Sequence, residues 1–299
     1  MFCTGFEKRR PRRTWSPVAE ASETSVVIPA FNEAGGIAAT IEGLKPAGFA
    51  EILVVDDGST DDTAARAAAA GARVVRHPYN KGNGAAVKTG IREAASRVVL
   101  LMDADTQHDP AEAGKLIGPI GPYDMVIGAR ALADQSLLRA AGNAVFRSLA
   151  SWLTGRPVPD LTSGYRAAKR QSLVDVLHLL PNAFSYPTTS CLALMKSGQN
   201  VLFVPITARP RVGTSKIRPF RDGFRFILII FKIVTLYAPL RVFAPIAIAS
   251  FLTGLAYGIW NVVRFDKIPM GSALLIQLGV VVFLFGLISE QIASMQDRR

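Results

Sequence analysis

The sequence predicts an α/β protein with a mostly parallel sheet, helices on both faces of that sheet, and a C-terminal hairpin of two transmembrane helices. Two observations predict the α/β domain: short apolar runs alternate with helical patterns, and polar clusters follow several of those runs. The hairpin is predicted because two long uncharged stretches stand near the C-terminus. We expect one domain over residues 23–216, preceded by a disordered basic tail over 1–22.

Short, continuously apolar segments are typical of strands buried on both faces, as parallel strands are. The predicted strands lie at residues 26–28, 52–55, 73–75, 98–102, 125–127 and 201–204. Helical patterns separate them, and the predicted helices lie at residues 37–44, 60–70, 85–95, 137–153 and 171–179. Asp61 and Asp62 are expected in the first turn of the second helix, where they would complement the helix dipole.

The C-terminal part of the chain is predicted to lie on and in a membrane. Apolar and basic residues recur near helical spacing over 219–236, which favours an amphipathic surface helix; a buried core helix is the alternative. The predicted segments are an interfacial region over 217–241, transmembrane helices over 242–263 and 268–289 within 242–293, and a cytoplasmic tail over 294–299. Each helix has the ~20 residues needed to cross a bilayer.

The net charge of +11 indicates an anionic partner, and the position of the basic residues favours membrane lipid over nucleic acid. They concentrate over 209–241, directly before the hairpin. Because Lys and Arg stay on the cytoplasmic side, we expect a multi-pass protein of the cell (inner) membrane with its main domain in the cytoplasm. Arg264 and Lys267, between the helices, would then face outside. Gly254 and Gly258 have a spacing that allows close helix approach, so a homo-oligomer is also considered.

Two acidic side chains follow the fourth predicted strand. Asp103 and Asp105 flank Ala104, and alternation along an extended backbone would point both carboxylates the same way. Two hard carboxylates suit Mg²⁺ or Mn²⁺ bound together with phosphate oxygens, and such a metal neutralises charge on a departing diphosphate. Gln107 would add a third oxygen ligand. The alternative is that the acidic pair only caps the next helix.

A second acidic turn, over residues 56–60, follows the second predicted strand. An Asp in this turn can accept hydrogen bonds from a nucleobase or ribose, and Gly58 permits close approach of the backbone. A helix N-cap by Ser59 or Thr60 is compatible with that role. Since ligands bind at the carboxyl ends of parallel strands, both acidic turns are expected to line one site.

Four segments of the chain stand in a distinctive order. They are VVIPAFNE at 26–33, VVDDGSTD at 54–61, NKG at 80–82 and MDADTQH at 102–108. In these segments the chain resembles the family 2 glycosyltransferases, and among them the polyprenyl-phosphate (dolichol-phosphate) mannose and glucose synthases. The resemblance covers about residues 25–216. It implies a GT-A fold, an inverting sugar transfer and a divalent metal.

The resemblance also implies which residues bind the donor, a UDP- or GDP-hexose. Those expected to hold the nucleoside are Pro29, Phe31, Glu33, Val55 and Asp57; those expected to hold the diphosphate and the metal are Asp103, Ala104, Asp105 and Gln107. Asp105 counts as catalytic because the nucleoside diphosphate would leave beside the metal it binds. Phe31 stands where many members have Tyr, so a ring hydroxyl contact is lost while stacking is kept.

Cations on the acceptor side also resemble family elements. Arg130, in a Gly-Ala-Arg segment, is expected to bind phosphate and to assist catalysis. In the basic segment 209–216, Arg211 and Lys216 are expected to bind the acceptor phosphate, with Arg209 as the alternative to Arg211. A general attraction of these cations to the lipid surface is the competing interpretation.

The segment 160–166 resembles the family's acceptor-side Asp-x-x-Ser-Gly-aromatic-Arg segment. Ser163 would bind the acceptor phosphate. Asp160 would act as an orienting residue or active-site acid, or would have only a structural role in the loop. A base is dispensable for a phosphate acceptor, whose second pKa is ~6 and which is therefore anionic at neutral pH.

The sequence thus predicts inverting, metal-dependent transfer of a hexose to a polyprenyl phosphate, undecaprenyl or dolichyl, at the cytoplasmic membrane face. One alternative is transfer to a lipid or polysaccharide hydroxyl, which needs a base; the Gln-x-x-Arg-Trp motif of processive synthases is absent from the sequence. The other is a non-catalytic nucleotide-sugar-binding membrane protein. That alternative predicts a degraded metal motif, whereas Asp103, Asp105 and Gln107 are intact.

Overall fold

The computed structural model of the protein describes residues 19–130, 147–148, 150–152, 154–182, 185–207 and 239–296. The predicted interfacial helix and most of the predicted helix over 137–153 lie outside the described residues. So does most of the predicted basic tail. The domain boundaries drawn from the sequence therefore remain predictions.

A seven-stranded sheet in the order β3-β2-β1-β4-β6-β5-β7 forms the centre of the domain. Its strands are β1 (Thr24–Ala30), β2 (Glu51–Asp56), β3 (Arg73–Arg76), β4 (Val98–Leu101), β5 (Met125–Arg130), β6 (Arg166–Lys169) and β7 (Val201–Ile206). Within the described chain, β6 is the one strand that runs antiparallel to its neighbours, β4 and β5. The predicted strands are all present. The sequence missed β6 because it is short and begins with a charged residue.

Helices cover both faces of the sheet. They are α1 (Ile37–Leu44), α2 (Thr63–Ala69), α3 (Asn83–Glu93), α4 (Ala113–Ile117), α5 (Arg170–Val176) and α6 (Tyr186–Lys196), of which α4 and α6 were not predicted. The expectation that Asp61 and Asp62 lie in the first turn of α2 is wrong. Asp61 Oδ1 accepts a hydrogen bond from the Thr63 amide at 3.0 Å, and Asp62 is the N-cap, so the helix starts only after both acids.

Two clusters of buried apolar side chains separate the helices from the sheet. Alternation along β1 shows the division, because Val27 belongs to one cluster while Val26 and Ile28 belong to the other. All seven residues of β1 are buried, since the strand lies between β2 and β4 in the middle of the sheet. Polar side chains can therefore gather only where the strands end.

Two long apolar helices, α7 (Leu240–Phe265) and α8 (Met270–Gln296), form the C-terminal hairpin. Both are long and apolar enough to cross a membrane, and few of their side chains are buried within the protein. The turn between them places Asp266 in the left-handed region at φ 51°. The α/β sheet together with this hairpin confirms the predicted fold class.

Close packing inside the hairpin depends on glycine. A Cβ on Gly254 would lie 2.8 Å from Leu275 Cβ, and one on Gly279 would lie 2.8 Å from the Ala247 carbonyl oxygen. Gly258 faces Ser272 in the same seam. The Gly254 and Gly258 pair, which the sequence associates with an oligomer, is therefore used in the contact between α7 and α8.

Candidate active site

Four strands end at one edge of the sheet, and each is followed by predicted site residues. Strands β1, β2, β4 and β5 share one direction, since β6 is antiparallel to both β4 and β5. Candidate residues either end one of these strands or follow it closely in the chain. They are Phe31 and Glu33, Asp57, Asp103 to Gln107, and Arg130. Pro29 and Val55 are buried within β1 and β2 just before this edge. The fold thus brings these predicted donor residues to one side of the domain.

The loops after β1 and β2 are tied to each other. Asn32 has a backbone φ of 56°. Its side-chain Oδ1 accepts a hydrogen bond from the Thr60 amide at 2.9 Å, and its backbone amide donates to Ser59 Oγ at 3.0 Å. The Glu33 amide donates to Thr63 Oγ1 at 2.9 Å. These bonds hold the loop that carries Phe31 and Glu33 against the acidic turn that follows β2.

The carboxylate of Asp57 is buried and fully engaged within the protein. Its Oδ1 accepts from the Lys81 amide at 3.0 Å and contacts His77 Nδ1 at 2.7 Å, and its Oδ2 accepts from the Gly82 amide at 2.8 Å. A Cβ on Gly58, at φ 73°, would overlap the backbone of Tyr79. Asp57 therefore fixes the turn that leads into α3, and a direct contact of Asp57 with the nucleoside stays a prediction.

Asp56, the last residue of β2, is a buried carboxylate that the sequence did not single out as a site residue. Its Oδ1 accepts from the Ser59 amide at 3.1 Å. Its Oδ2 lies 3.0 Å from Arg76 Nε as an ion pair but lacks hydrogen-bond geometry, so this oxygen has no hydrogen-bond partner among the described residues. The side chain of Arg76 is largely exposed beside it.

The acidic pair after β4 lies in a bend rather than in an extended strand. Strand β4 ends at Leu101, and Thr106 has a φ of 60°, so simple alternation does not apply to Asp103 and Asp105. Asp103 is about a third exposed (31%), and its Oδ2 lies 3.4 Å from His108 Nε2. Asp105 Oδ1 accepts a hydrogen bond from the Gln107 amide at 3.3 Å.

Electrostatics links both acids to Arg130. Burial alone would lower the pKa of Arg130, but its hydrogen bond with Asp160 and the charges of Asp160, Asp103 and Asp105 raise it. Burial alone would raise the pKa of Asp103, but a hydrogen bond and charge from His108, then the charges of Arg166 and Arg130, hold it below its ordinary value. Asp103 is therefore favoured in its ionised form beside the cationic Arg130.

Arg130 and Asp160 form a bidentate ion pair that was not predicted from the sequence. Arg130 Nε lies 2.9 Å from Asp160 Oδ2 and Nη2 lies 3.2 Å from Oδ1, while Nη2 also donates to Thr162 Oγ1 at 2.6 Å. Asp160 also accepts from the amides of Thr162 and Ser163. Burial would raise the pKa of Asp160, but the hydrogen bonds and charge of the Arg130 side chain, then the backbone amides of Thr162 and Arg130, lower it.

The loop after Asp160 leads directly into β6. Ser163 is fully buried, and its Oγ has no hydrogen-bond partner in the described part of the chain. The Gly164 backbone lies against Asp103, so close that a Cβ on Gly164 would overlap Asp103 Oδ2. Arg166, the first residue of β6, is completely buried. The predicted acceptor contacts, Arg209, Arg211 and Lys216, lie outside the described residues.

Two histidines that the sequence left without a role contact site carboxylates. His77 lies between Asp57 and Thr89, with its Nε2 2.9 Å from Thr89 Oγ1. His108 contacts Asp103 and stacks on Tyr165, with ring centroids 4.9 Å apart. In the sequence, the signal that His108 belongs to the site was its position directly after Gln107. Its burial and its stacking on Tyr165 were not predictable, because Tyr165 directly precedes the unpredicted strand β6.

A mostly parallel sheet that gathers carboxylates and an arginine at one edge, followed by an apolar hairpin, defines a membrane-associated enzyme of the GT-A class. Comparison with known proteins gives the family. The profile of glycosyl transferase family 2 matches residues 25–177, and that of the GtrB C-terminal hairpin matches residues 238–295. The chain therefore belongs to glycosyl transferase family 2, and it is a glycosyltransferase.

Two relatives from Haloferax volcanii extend this comparison. Glycosyltransferase AglJ is 32% identical over 286 residues, which cover 90% of this chain and 93% of AglJ. A dolichyl-phosphate hexose transferase is 33% identical over 208 residues, which cover 67% of this chain and 89% of that protein. Relatives thus include a protein named as a hexose transferase of dolichyl phosphate.

Among solved structures, glucosyl-3-phosphoglycerate synthase from Mycobacterium tuberculosis, in complex with Mn²⁺, UDP and glucosyl-3-phosphoglycerate, is similar in fold. The TM-score is 0.59 at 24% identity, and the match covers 72% of this chain and 82% of the synthase. This likeness supports the fold of the domain. The apolar helices and the GtrB-type hairpin further indicate membrane association.

Proposed function

We propose that the protein transfers a hexose from a UDP- or GDP-hexose to the phosphate of a polyprenyl phosphate. The observation that carries the proposal is the meeting of Asp103 and Asp105 with the Arg130–Asp160 pair at the carboxyl edge of the sheet. The edge offers carboxylates for a metal and a cation for a phosphate. A membrane hairpin on the same chain favours a lipid-linked acceptor over a soluble one.

The donor set at Asp103 and Asp105 fits Mg²⁺ or Mn²⁺. Among the described residues no group of three or more His, Cys, Asp or Glu side chains is arranged to hold a metal. Two carboxylates with a nearby Gln107 are a partial set of hard oxygen ligands, which suits a cation that shares its coordination with substrate phosphates and water. When bound, the cation would neutralise charge on the departing nucleoside diphosphate.

The remaining donor contacts follow from the position of the loops. Phe31 would stack on the base, and Pro29, Glu33, Val55 and Asp57 would line the nucleoside pocket with it, while Ala104 and Gln107 would lie beside the diphosphate. The hydrogen bonds between the loops after β1 and β2 support this arrangement, because they hold the two walls of the pocket in one geometry.

In the transfer step, an acceptor phosphate oxygen attacks the anomeric carbon from the face opposite the nucleoside diphosphate. The bond from that carbon to the diphosphate oxygen breaks, the nucleoside diphosphate leaves, and the configuration inverts. Asp160 would orient Arg130 rather than remove a proton, because its lowered pKa makes it a weak base. Arg130 would stabilise negative charge on the phosphates, and Ser163, Arg211 and Lys216 would hold the acceptor. The phosphate acceptor itself needs no base.

We further propose that the protein is a multi-pass component of the cell (inner) membrane with its catalytic domain in the cytoplasm. The charge distribution supports this orientation, because the basic segment before α7 would lie beside anionic lipid headgroups. Transfer to a lipid or polysaccharide hydroxyl is the second candidate. It would need a base, and the pairing of Asp160 with Arg130 weighs against Asp160 in that role.

The proposal is tested by measuring how much radiolabelled sugar is recovered in the lipid extract. Purified protein in nanodiscs receives radiolabelled UDP- or GDP-hexoses with undecaprenyl or dolichyl phosphate and Mn²⁺. We expect label in one lipid product with one donor, and loss of about 100-fold or more in rate for Asp105→Ala or after EDTA treatment, since leaving-group stabilisation contributes factors of ~10²–10³. Full activity of Asp105→Ala, or label that requires a hydroxyl acceptor, would rule the proposal out.

A further inference from the structure

Arg166 is a buried cation that the proposed reaction does not use. Its side chain is completely buried, and its hydrogen-bond acceptors are neutral: Ser163 O for Nε at 3.1 Å and for Nη2, Pro187 O for Nη1 at 2.7 Å, and Ser190 Oγ for Nη1 at 2.9 Å. Buried charges are usually paired. No carboxylate oxygen of the described residues lies within 4 Å of this guanidinium.

Arg166 binds the backbone of the Ser163–Gly164 loop, and this loop contacts Asp160 and Asp103. Nε and Nη2 both donate to the Ser163 carbonyl. The Ser163 amide donates to Asp160 Oδ1 at 3.1 Å, and the next residue, Gly164, lies against the Asp103 carboxylate. Nη1 attaches the same guanidinium to the start of α6 at Pro187 and so anchors the loop to a helix.

The charge of Arg166 also links this residue to the acids of the site. Burial lowers the pKa of the Arg166 guanidinium. Among the groups that oppose this shift, after Tyr186 and Cys191, are the carboxylates of Asp160 and Asp103, on either side of the Ser163–Gly164 loop. A guanidinium with only neutral bonded partners leaves its positive charge to act on these two acids at longer range. The buried charge of Arg166 therefore interacts electrostatically with two carboxylates of the site.

We propose that Arg166 is a positioning residue for glycosyl transfer, which acts by holding the Ser163–Gly164 backbone against Asp103 and Asp160. It does not touch the substrate. It sets the orientation of the Asp103 carboxylate through Gly164, and it sets the Arg130–Asp160 pair through the Ser163 amide. This inference rests on the proposed role of Asp103 in binding the donor diphosphate.

Arg170 provides a matched control four residues along the chain. Its Nε donates to Ile91 O at 2.9 Å and its Nη2 donates to Arg92 O at 2.7 Å. Like Arg166, it joins β6 and its flanking residues to a helix through backbone carbonyls, but it attaches to the end of α3 instead of the site. Loss of a purely structural arginine can therefore be compared with loss of Arg166.

The experiment compares Arg166→Lys, Arg166→Met and Gly164→Ala with Arg170→Lys and Gly114→Ala in nanodiscs. Gly114 is a control because a Cβ there would meet no atom within 4 Å. Calorimetry measures binding of UDP and of GDP with and without Mn²⁺, kinetics gives kcat and KM for the donor found above, and thermal unfolding reports folding.

We expect Arg166→Lys to lower kcat about 10-fold or more with a smaller change in KM, because the metal-binding carboxylate loses its orientation. The gain in nucleotide affinity from Mn²⁺ should shrink, and Arg166→Met should be worse than Arg166→Lys. Gly164→Ala should reproduce the loss without a change in charge. Arg170→Lys should lower the thermal midpoint and leave kcat and the Mn²⁺ effect within about twofold.

The inference is overturned if folded Arg166→Lys or Gly164→Ala keeps the wild-type Mn²⁺ effect on nucleotide binding, or if Arg170→Lys loses as much of it. If Arg166→Lys does not fold, Gly164→Ala decides. The binding measurement does not depend on the acceptor. Failure of the wild type to transfer hexose to a polyprenyl phosphate would therefore contradict the proposed function alone, and the role of Arg166 would still be decided by calorimetry.

Discussion

At the scale of single residues, the site is defined by carboxylates that differ in what they contact. Asp57 is engaged with backbone amides and His77, Asp160 with Arg130, and Asp103 is partly exposed beside His108. Those held by internal donors shape loops, while Asp103 keeps about a third of its side chain exposed. Identical side chains thus acquire different roles through their neighbours.

The Arg130–Asp160 pair makes a prediction about pH and stability. Because the folded-state pKa of Asp160 is lowered, the ionised carboxylate stabilises the fold above its unfolded pKa of ~3.9, and this contribution is lost as pH falls through the folded pKa. We expect Asp160→Asn to lose about 3 kcal/mol of unfolding free energy at pH 7. The deficit should shrink below about pH 4.

Denaturant unfolding of both proteins in detergent at pH 7 and pH 3.5 measures this difference. Asp175→Asn is the control, because Asp175 is exposed on α5, and a surface change of this kind usually stays within ~0.5 kcal/mol. A deficit for Asp160→Asn that is the same at both pH values would show that the carboxylate charge does not stabilise the fold.

At the scale of elements, glycine decides how closely neighbouring segments approach. Gly58 lets the turn after β2 lie against Tyr79, and Gly164 lets the entry to β6 lie against Asp103. In the hairpin, Gly254 and Gly279 let α7 and α8 pack backbone to backbone. Each of these positions has no space for a methyl group.

Gly254→Ala tests whether this seam lies within one chain. The added Cβ would lie 2.8 Å from Leu275 Cβ and 2.9 Å from the Ile276 amide nitrogen, so the helices must separate. We expect a loss of about 1–3 kcal/mol, seen as a lower thermal midpoint in detergent. Gly271→Ala is the control, since its Cβ would make an ordinary 3.5 Å contact with Tyr257. An unchanged midpoint together with loss of a cross-linked oligomer would place Gly254 at a contact between subunits instead.

At the scale of the whole molecule, the hairpin is joined to the catalytic domain by a direct contact. Arg241 Nη1 of α7 donates to the Trp152 carbonyl at 3.2 Å. Within the hairpin, Glu290 of α8 accepts from the Leu240 amide of α7 at 3.1 Å. With 26 residues, α7 spans about 39 Å, which exceeds the ~30 Å hydrocarbon core. In a membrane-spanning orientation, Arg241 and Glu290 would lie at the headgroup layer, next to the domain.

Cysteine labelling tests the proposed orientation. In a Cys3→Ser background, where the remaining Cys191 is buried, an impermeant maleimide should label Lys267→Cys in intact cells. Lys267 lies between α7 and α8, a turn that would face outside in the proposed orientation. Glu42→Cys, exposed on the catalytic domain, should react only after the cells are made permeable. The reverse pattern would refute a cytoplasmic catalytic domain.

Much of the fold could be predicted from the sequence because its signals are local. Each predicted strand is an apolar run that the structure confirms, and the two uncharged stretches became α7 and α8. The strand β6 and the helices α4 and α6 were missed. Arg166 and Lys169 obscure the apolar pattern of β6, and α6 is buried along nearly its whole length, so it lacks the polar face that marks a surface helix.

The sequence by itself determined the α/β class, the membrane hairpin, the family and the acidic turns, because each depends on residues close together in the chain. Only the tertiary structure decided that Arg130 pairs with Asp160, that Gly164 lies against Asp103 and that Arg166 is buried. These contacts exist because antiparallel β6 lies between β4 and β5. The order of strands in a sheet is set by packing between distant segments, which local patterns of polarity do not encode.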